Sequence, residues 1–177
     1  MKQLDHFDAA ADRLFQPLRG QRHLDRLFYT LSALADHSLL WELFAAFLAI
    51  SPRRRGRALR AGAALGVESL LINVIVKSFF SRERPIDNTY EHPHHLRYPL
   101  TSSFPSGHAT AAFAAASLLP KHRLGRWILF PLATLIALSR IHVRIHHASD
   151  VVGGALIGLA YAQLVKVVVP LPHQARE

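Results

Sequence analysis

Apolar stretches alternate with short polar segments along this chain, and we interpret five of them as the helices of a membrane bundle. A straight span of a bilayer needs roughly 20 residues. The shorter stretches must therefore extend through flanking polar residues or lie where the bilayer is thin. The pattern predicts an all-α integral membrane helical bundle with about five transmembrane helices. The stretches cover approximately residues 38–50, 60–80, 106–119, 127–139 and 148–169.

The first 35 residues follow a different pattern, in which single apolar residues are interleaved with charges, as at Leu4, Phe7 and Leu14. This pattern is typical of a helix that lies along a membrane surface. An amphipathic helix packed on a soluble core has the same pattern. We expect one domain over residues 1–177, with an N-terminal amphipathic interfacial segment at 1–35 and a transmembrane catalytic bundle at 36–170.

Composition favours the membrane interpretation. The 177 residues are 50% hydrophobic, yet their formal net charge is +9. This combination fits membrane helices whose ends and functional site are basic. We do not expect a nucleic acid partner, because the basic residues lie between apolar runs and lack the aromatic and basic surface pattern of the usual modules. The absence of cysteine excludes a disulfide framework and a thiolate metal site.

Three short segments carry most of the candidate chemistry, and their residue types suit a phosphoryl group. A phosphoryl group in transit spreads negative charge over its oxygens, so its site needs fixed cations, a nucleophile and an acid for the leaving oxygen. Lys77, Arg84 and Arg140 supply cations, of which the two arginines can bind phosphate in a bidentate manner. The segments are KSFFSRERP at 77–85, PSGH at 105–108 and SRIHVRIHHASD at 139–150.

His146 and Asp150 are four positions apart at the predicted start of the last helix, so we expect both on one face. A carboxylate bonded to one ring nitrogen fixes the tautomer and leaves the other nitrogen free to attack phosphorus. An N-cap carboxylate beside a surface histidine is the alternative. His142 and His147 compete as nucleophiles, but helical spacing turns His147 about 100° away from that face.

A Pro-Ser-Gly turn precedes His108 at the predicted start of the third helix. Unpaired N–H groups and the helix dipole favour an anion at such a position. We expect Ser106 and the N–H group of Gly107 to bind phosphate oxygens there. A plain N-cap role for Ser106 is compatible with the same turn.

The three segments together resemble the three-part signature of the type 2 phosphatidic acid phosphatase family, which also contains the vanadium haloperoxidases. The resemblance implies a membrane phosphatase that needs no metal or other cofactor, and it implies that His108 is the general acid. The predicted catalytic residues are His146, His108 and Asp150, and the predicted phosphate-binding residues are Lys77, Arg84, Ser106, Gly107 and Arg140.

The resulting functional prediction is hydrolysis of a lipid phosphate monoester or diphosphate through a phosphohistidine intermediate. We favour a polyprenyl carrier over phosphatidate or phosphatidylglycerophosphate. A non-catalytic lipid-phosphate-binding membrane protein would need the cations but neither catalytic histidine. A vanadate-dependent haloperoxidase would share the pocket, although the haloperoxidases that the chain resembles are larger and soluble. The histidines of EHPHH, which are His92, His94 and His95, suggest a metal site or a polar loop near head groups.

The distribution of cations predicts the orientation in the membrane. The compact Arg53–Arg57 cluster is the strongest cytoplasmic anchor. We therefore expect a protein of the bacterial plasma membrane whose active site faces the extracytoplasmic side. Ten cations fall on the predicted cytoplasmic side, namely Arg53, Arg54, Arg55, Arg57, Arg60, Lys121, Arg123, Arg126, Lys166 and Arg176.

Overall fold

The computed structural model describes residues 2–85 and 100–171, and no strand occurs within them. The all-α prediction is confirmed. In chain order the helices are α1 (Lys2–Phe15), α2 (Arg22–Leu34), α3 (Leu39–Ala49), α4 (Pro52–Leu70), α5 (Gly107–Leu118), α6 (Arg123–His142) and α7 (Ala148–Val168).

The N-terminal segment forms two helices, α1 and α2, and α1 is amphipathic. Leu4, Phe7 and Leu14 on α1 are exposed, whereas Asp8 is only 7% exposed. The buried side of α1 also brings Ala11 and Phe15 against α6 and α7. A helix that packs one face on the protein and exposes apolar residues on the other suits a position at a membrane surface.

The arginine cluster Arg53–Arg57 lies in a helix that begins earlier than the apolar stretch predicted. Helix α3 ends at Ala49, and Pro52 begins α4, where proline is favoured because its missing N–H group has no helical partner. Arg53 and Arg57 therefore belong to the first turns of α4. The apolar stretch alone had placed the start of this helix near Arg60.

Helix α4 ends in a π turn at Leu71–Ile75 and a 3-10 turn at Val76–Phe79. Together these turns carry the helical rod as far as Phe79. Lys77 lies in the last turn, and its side chain is buried. The irregular turns thus place a cation at the end of the rod, close to the following connection.

Helix α5 is rich in alanine and lies at the centre of the bundle, where most of its residues are buried. It packs closely on α7. A Cβ atom at Gly154 would lie 2.5 Å from the carbonyl oxygen of Ser106, and one at Gly158 would overlap the carbonyl of Thr110. The close approach places the N-terminal ends of α5 and α7 side by side.

Three helical rods are long and apolar enough to cross a bilayer, namely Pro52–Phe79, Arg123–His142 and Ala148–Val168. A fourth span results if α2 and α3, which meet at a bend of 65°, are taken as one. Helix α5 has only 12 residues. Its neighbours α6 and α7 enclose most of it. The chain is thus a membrane-type helical bundle, and the count of five spans stays a prediction.

Candidate active site

A cavity of about 720 Å³ opens at the end of the bundle where α4 and α6 finish and α5 and α7 begin. It gathers residues that lie far apart in sequence. Of the predicted site residues, Lys77, Gly107, His108, Arg140 and His146 line it. The cavity is also lined by Ala35, Asp36, Ser38, Gly66, Glu68, Ser69, Leu70, Asn73, Val74, Leu100 and Thr101.

His146 precedes helix α7 instead of lying on it, because His147 is the N-cap and the helix begins at Ala148. The expectation that His146 and Asp150 share a helix face is therefore wrong. The two side chains still meet, with Nδ1 of His146 3.6 Å from Oδ2 of Asp150. This separation is longer than a hydrogen bond. The ring is 2% exposed, and its Nε2 lies 3.2 Å from Nη1 of Arg84.

The surroundings of His146 keep its imidazole neutral. Burial, with help from the positive charges of Arg140 and Arg84, lowers the pKa of His146 to about 3, against the opposing effect of Asp150. Removing a charged imidazolium from water is unfavourable, and two nearby guanidinium groups make it more so. A neutral ring keeps a lone pair on one nitrogen, which a nucleophile requires.

Asp150 is held by several donors. Its Oδ2 accepts a hydrogen bond from the backbone N–H of His147 at 2.8 Å, and its Oδ1 accepts one from Nη1 of Arg82 at 2.5 Å. The other nitrogen of the same guanidinium, Nη2, donates to Asp8 on α1 at 2.6 Å. Arg82 therefore bridges two carboxylates, and sequence reasoning missed Asp8 altogether.

The predicted phosphate-binding cations Lys77 and Arg140 line the same cavity as His146, and Arg84 lies next to the His146 ring. Arg84 donates to the carbonyl oxygen of Ile145 at 2.8 Å, and to those of Thr101 and Ser102 at 3.0 and 3.1 Å. These bonds fix its guanidinium plane beside the His146 ring. Nζ of Lys77 lies 3.5 Å from Oγ1 of Thr101.

Arg140 is the most enclosed of the three cations, with 2% of its surface exposed. Its Nη1 donates to Oγ of Ser32 on α2. The Nε–H group has no hydrogen-bond partner among the described residues. A buried guanidinium with an unused donor in a cavity wall is suited to an anionic ligand.

His108 lies in the first turn of α5 and faces the corner between α2 and α3. Its Nε2 is 3.0 Å from Oδ1 of Asp36 and 3.3 Å from the carbonyl oxygen of Ser32. Asp36 was not anticipated, because neither its spacing nor its neighbours in the sequence mark it. The structure therefore adds a carboxylate beside the histidine that the signature assigns as the acid.

Ser106 and Gly107 differ in their access to the cavity. Ser106 is fully buried as the N-cap of α5, where its Oγ lies 3.5 Å from the N–H group of Ala109, and it does not line the cavity. The alternative role as an N-cap thus describes its side chain. Gly107 lines the cavity, and a Cβ atom there would lie 3.2 Å from Oδ1 of Asn73. Absence of a side chain leaves its backbone open to the cavity.

The two competing histidines are engaged elsewhere. Nε2 of His142 lies 2.7 Å from Oδ1 of Asp25, and the ring stacks on Phe28 at a centroid distance of 4.5 Å. Nε2 of His147 lies 3.3 Å from the carbonyl oxygen of Glu83. Neither residue lines the cavity.

His92, His94 and His95, the candidate metal ligands, lie outside the described residues. Within residues 2–85 and 100–171, no group of three or more potential ligands is arranged to hold a metal ion.

Comparison with known proteins identifies relatives along most of the chain. Residues 57–172 match the model of the PAP2 superfamily. The decaprenylphosphoryl-5-phosphoribose phosphatase of Mycobacterium tuberculosis is 36% identical over 76% of this chain and 75% of its own length. The undecaprenyl-diphosphatase BcrC of Bacillus subtilis is 30% identical over 82% of this chain and 77% of its own.

A solved structure shares the fold. The crystal structure of the transmembrane PAP2-type phosphatidylglycerolphosphate phosphatase from Bacillus subtilis superposes with a TM-score of 0.76. The match covers 99% of this chain and 90% of that chain at 24% sequence identity. The superposition extends over nearly the whole chain, so it includes the two N-terminal helices that precede the matched superfamily region.

Proposed function

Because the chain belongs to the PAP2 superfamily, whose members similar to it are membrane lipid phosphatases, we propose that it hydrolyses a lipid phosphate through a phosphohistidine on His146. The observation that carries the proposal is the position of Nε2 of His146, 3.2 Å from Arg84 at a cavity that Lys77 and Arg140 also line. A phosphate in this cavity would meet His146, Lys77 and Arg140 together, with Arg84 next to the His146 ring.

In the first step, Nε2 of His146 attacks phosphorus, and the bond from phosphorus to the lipid oxygen breaks. Asp150 supports the positive charge that develops on the ring, since its carboxylate is the closest anion to Nδ1. Arg84 and Arg140 stabilise the negative charge on the non-bridging oxygens. Lys77 adds a third positive charge at the cavity wall.

His108 donates a proton to the departing lipid oxygen, and the backbone N–H group of Gly107 binds a phosphate oxygen. In the second step, water attacks phosphorus, the bond from phosphorus to Nε2 of His146 breaks, and His108 accepts a proton from that water. The Nδ1 to Oδ2 separation of 3.6 Å would shorten as the ring becomes charged, because catalytic hydrogen bonds often tighten only in the complex. No step of this mechanism requires a metal ion.

A polyprenyl phosphate or diphosphate carrier is the favoured substrate class. Two relatives that match three quarters or more of this chain, from Mycobacterium tuberculosis and Bacillus subtilis, bear names that specify polyprenyl substrates. The walls of the cavity also include Leu70, Val74 and Leu100, which can contact an isoprenoid or acyl chain. Phosphatidate and phosphatidylglycerophosphate are the competing substrates.

Phosphate release from a substrate panel tests the function. Purified protein in detergent would be given polyprenyl phosphate, polyprenyl diphosphate, a polyprenyl-phosphoryl sugar phosphate, phosphatidate and phosphatidylglycerophosphate. We expect the highest kcat/KM for a polyprenyl substrate. No release from any of the five, by protein that is folded and monodisperse, would favour a lipid-phosphate-binding protein instead.

The proposed topology comprises five spans and an N-terminal segment on the membrane surface, with the active site outside the cytoplasm of a bacterial plasma membrane. The chain contains no cysteine, so single substitutions report accessibility cleanly. A membrane-impermeant thiol reagent applied to intact cells should label Ser102→Cys and leave Gly56→Cys unlabelled. The reverse result would place the active site in the cytoplasmic leaflet.

A further inference from the structure

Asp8 on α1 is bonded into the support of Asp150, although it lies 74 positions from the arginine that links them. Its Oδ2 accepts hydrogen bonds from Nη2 of Arg82 at 2.6 Å and from Oγ of Ser149 at 2.8 Å. Its Oδ1 accepts a hydrogen bond from the backbone N–H of Ser149 at 2.8 Å. Asp8 is 7% exposed. The carboxylate therefore satisfies three donors at the N-terminal end of α7.

The same guanidinium reaches Asp150, through Nη1 at 2.5 Å, and Nη1 also donates to Oγ of Ser149 at 2.7 Å. A planar guanidinium held at both ends cannot rotate without breaking charge-assisted bonds. We propose that Asp8 is a positioning residue for hydrolysis, which holds Arg82 so that the carboxylate of Asp150 stays directed at His146. This inference rests on the proposed function.

The contact through Asp8 involves α1 as a whole. Its open face presents Leu4, Phe7 and Leu14, while Asp8 lies on its packed face. If α1 lies on the bilayer, the membrane surface and the catalytic carboxylate are connected through two side chains, Asp8 and Arg82. The N-terminal helix would then complete the active site.

The test is a double-mutant cycle between Asp8→Asn and Asp150→Asn, with kcat and KM measured separately. We expect Asp8→Asn to lower kcat about 10- to 100-fold with little change in KM, because it misplaces a catalytic group without touching substrate. The double variant should be no slower than Asp150→Asn alone, within about twofold. If the kcat losses of the two single variants multiply in the double variant, the proposal is overturned, since a merely structural role of Asp8 would act independently of Asp150.

Asp5→Asn is the matched control, because it makes the same charge change at an exposed position of α1. It should keep wild-type kcat. If Asp8→Asn does not fold, Arg82→Lys tests the same bridge with the charge retained, and wild-type kcat in that variant would also overturn the proposal. An inactive wild-type protein would contradict the proposed function, whereas an active wild type with an equally active Asp8→Asn variant contradicts only this inference.

A second cavity lies at the opposite end of the bundle, where α4 begins and α5 ends. It has a volume of about 440 Å³ and lies between α3, α4 and the connection from α5 to α6. Its polar lining includes Arg54, Arg57 and Lys121, and its apolar lining includes Leu48 and Leu129. Cations and hydrocarbon thus share one concave surface.

No acidic residue offsets these cations nearby in the sequence, because residues 43–67 and 92–149 contain neither Asp nor Glu. Among the residues that the structure describes, no carboxylate forms an ion pair with Arg54, Arg57 or Lys121. The geometry points to a binding site for an anionic phospholipid of the bilayer, with its phosphate at the cations and a chain along the apolar wall. This site is separate from the catalytic cavity.

Native mass spectrometry of protein released from nanodiscs of phosphatidylcholine and phosphatidylglycerol tests this site. The wild type should retain one phosphatidylglycerol molecule. The double variant Arg54→Gln/Arg57→Gln should bind this lipid about 25-fold more weakly, since each cation near a membrane surface contributes about fivefold to lipid affinity. Arg53→Gln/Arg55→Gln is the matched control, because it removes the same charge from the same helix without altering the cavity lining.

Retention by the control pair and loss by the cavity pair supports a defined site. Equal weakening by both pairs, equal retention of phosphatidylcholine, or displacement of the lipid by inorganic phosphate overturns it. Because lipid retention is read without turnover, the result does not depend on phosphatase activity.

Discussion

Nη1 of Arg84 lies 3.2 Å from Nε2 of His146. The guanidinium is held there by the carbonyl oxygens of Ile145, Thr101 and Ser102. A cation fixed by neutral backbone oxygens keeps its full charge for a ligand. In the proposed mechanism, the attacking nitrogen and a stabilising cation are therefore adjacent before any phosphate binds, which is the preorganisation that charge stabilisation requires.

Arg84→Lys should reduce kcat about 10²- to 10³-fold, although it keeps the positive charge. An ammonium group cannot bond two phosphate oxygens in one plane while contacting three carbonyls. Steady-state phosphate release measures the loss. Arg22→Lys, at an exposed position of α2, is the control and should behave as wild type. Full activity in Arg84→Lys would show that the site needs only a charge there.

His146→Ala should abolish turnover, and Asp150→Asn should reduce it about 10²- to 10⁴-fold, as loss of an orienting carboxylate does in other catalytic triads. His147→Ala should retain most activity, because its Nε2 is directed to the carbonyl of Glu83. Quenching without acid, followed by mass spectrometry, should locate phosphate on His146. Phosphate on His147 would refute the assignment.

Excess EDTA should leave activity unchanged, and vanadate should inhibit. In the proposed mechanism, Lys77, Arg84 and Arg140 supply the positive charge that metal ions supply in other phosphatases. Vanadate can adopt a five-coordinate geometry like that of phosphorus in transfer. Phosphate release before and after addition of zinc or magnesium measures both effects. Loss with EDTA that either metal restores would contradict the proposed mechanism.

Stability should fall as the pH drops below about 6.5, the unperturbed pKa of histidine. Burial lowers the pKa of His146 to about 3 in the folded protein, so between these values the unfolded chain binds a proton that the native state does not. The contribution is fully present above pH 6.5 and is lost progressively toward pH 3. Unfolding temperatures of wild type and His146→Leu from pH 7.5 to 5 should show a shallower pH dependence in the variant. Parallel curves would show that His146 titrates normally.

Gly158→Ala should destabilise the bundle by about 1–3 kcal/mol, because the added Cβ atom would overlap the carbonyl of Thr110 on α5. The substitution should also lower activity, because it would push α5 and α7 apart and both helices carry predicted site residues at their N-terminal ends. Gly56→Ala is the matched control, with no atom within 4 Å of its Cβ position. That variant should be neutral or more stable by about 0.5–1 kcal/mol. Thermal unfolding in detergent distinguishes the two.

Helix existence and the inventory of site chemistry could be predicted because both are short-range properties. The apolar runs near 38–50 and 148–169 correspond closely to α3 and α7, since a run of apolar residues bounded by charges marks a helix without knowledge of its neighbours. The start of α4 was misplaced because its first turns are solvated arginines, which an apolar pattern cannot register.

Spacing along the chain was enough to identify the residues suited to a phosphate, which are Lys77, Arg84, His108, Arg140 and His146 in three segments. How these residues are held depends on contacts between distant parts of the fold. Asp8 and Asp36 meet their partners across 74 and 72 positions, and no local pattern marks a contact of that range. His146 does not lie on the face of α7, because this helix begins at Ala148 and His147 is its N-cap. Short-range spacing thus indicated the candidate site residues, whereas close packing of α5 on α7, which only glycine at 154 and 158 permits, brought them together.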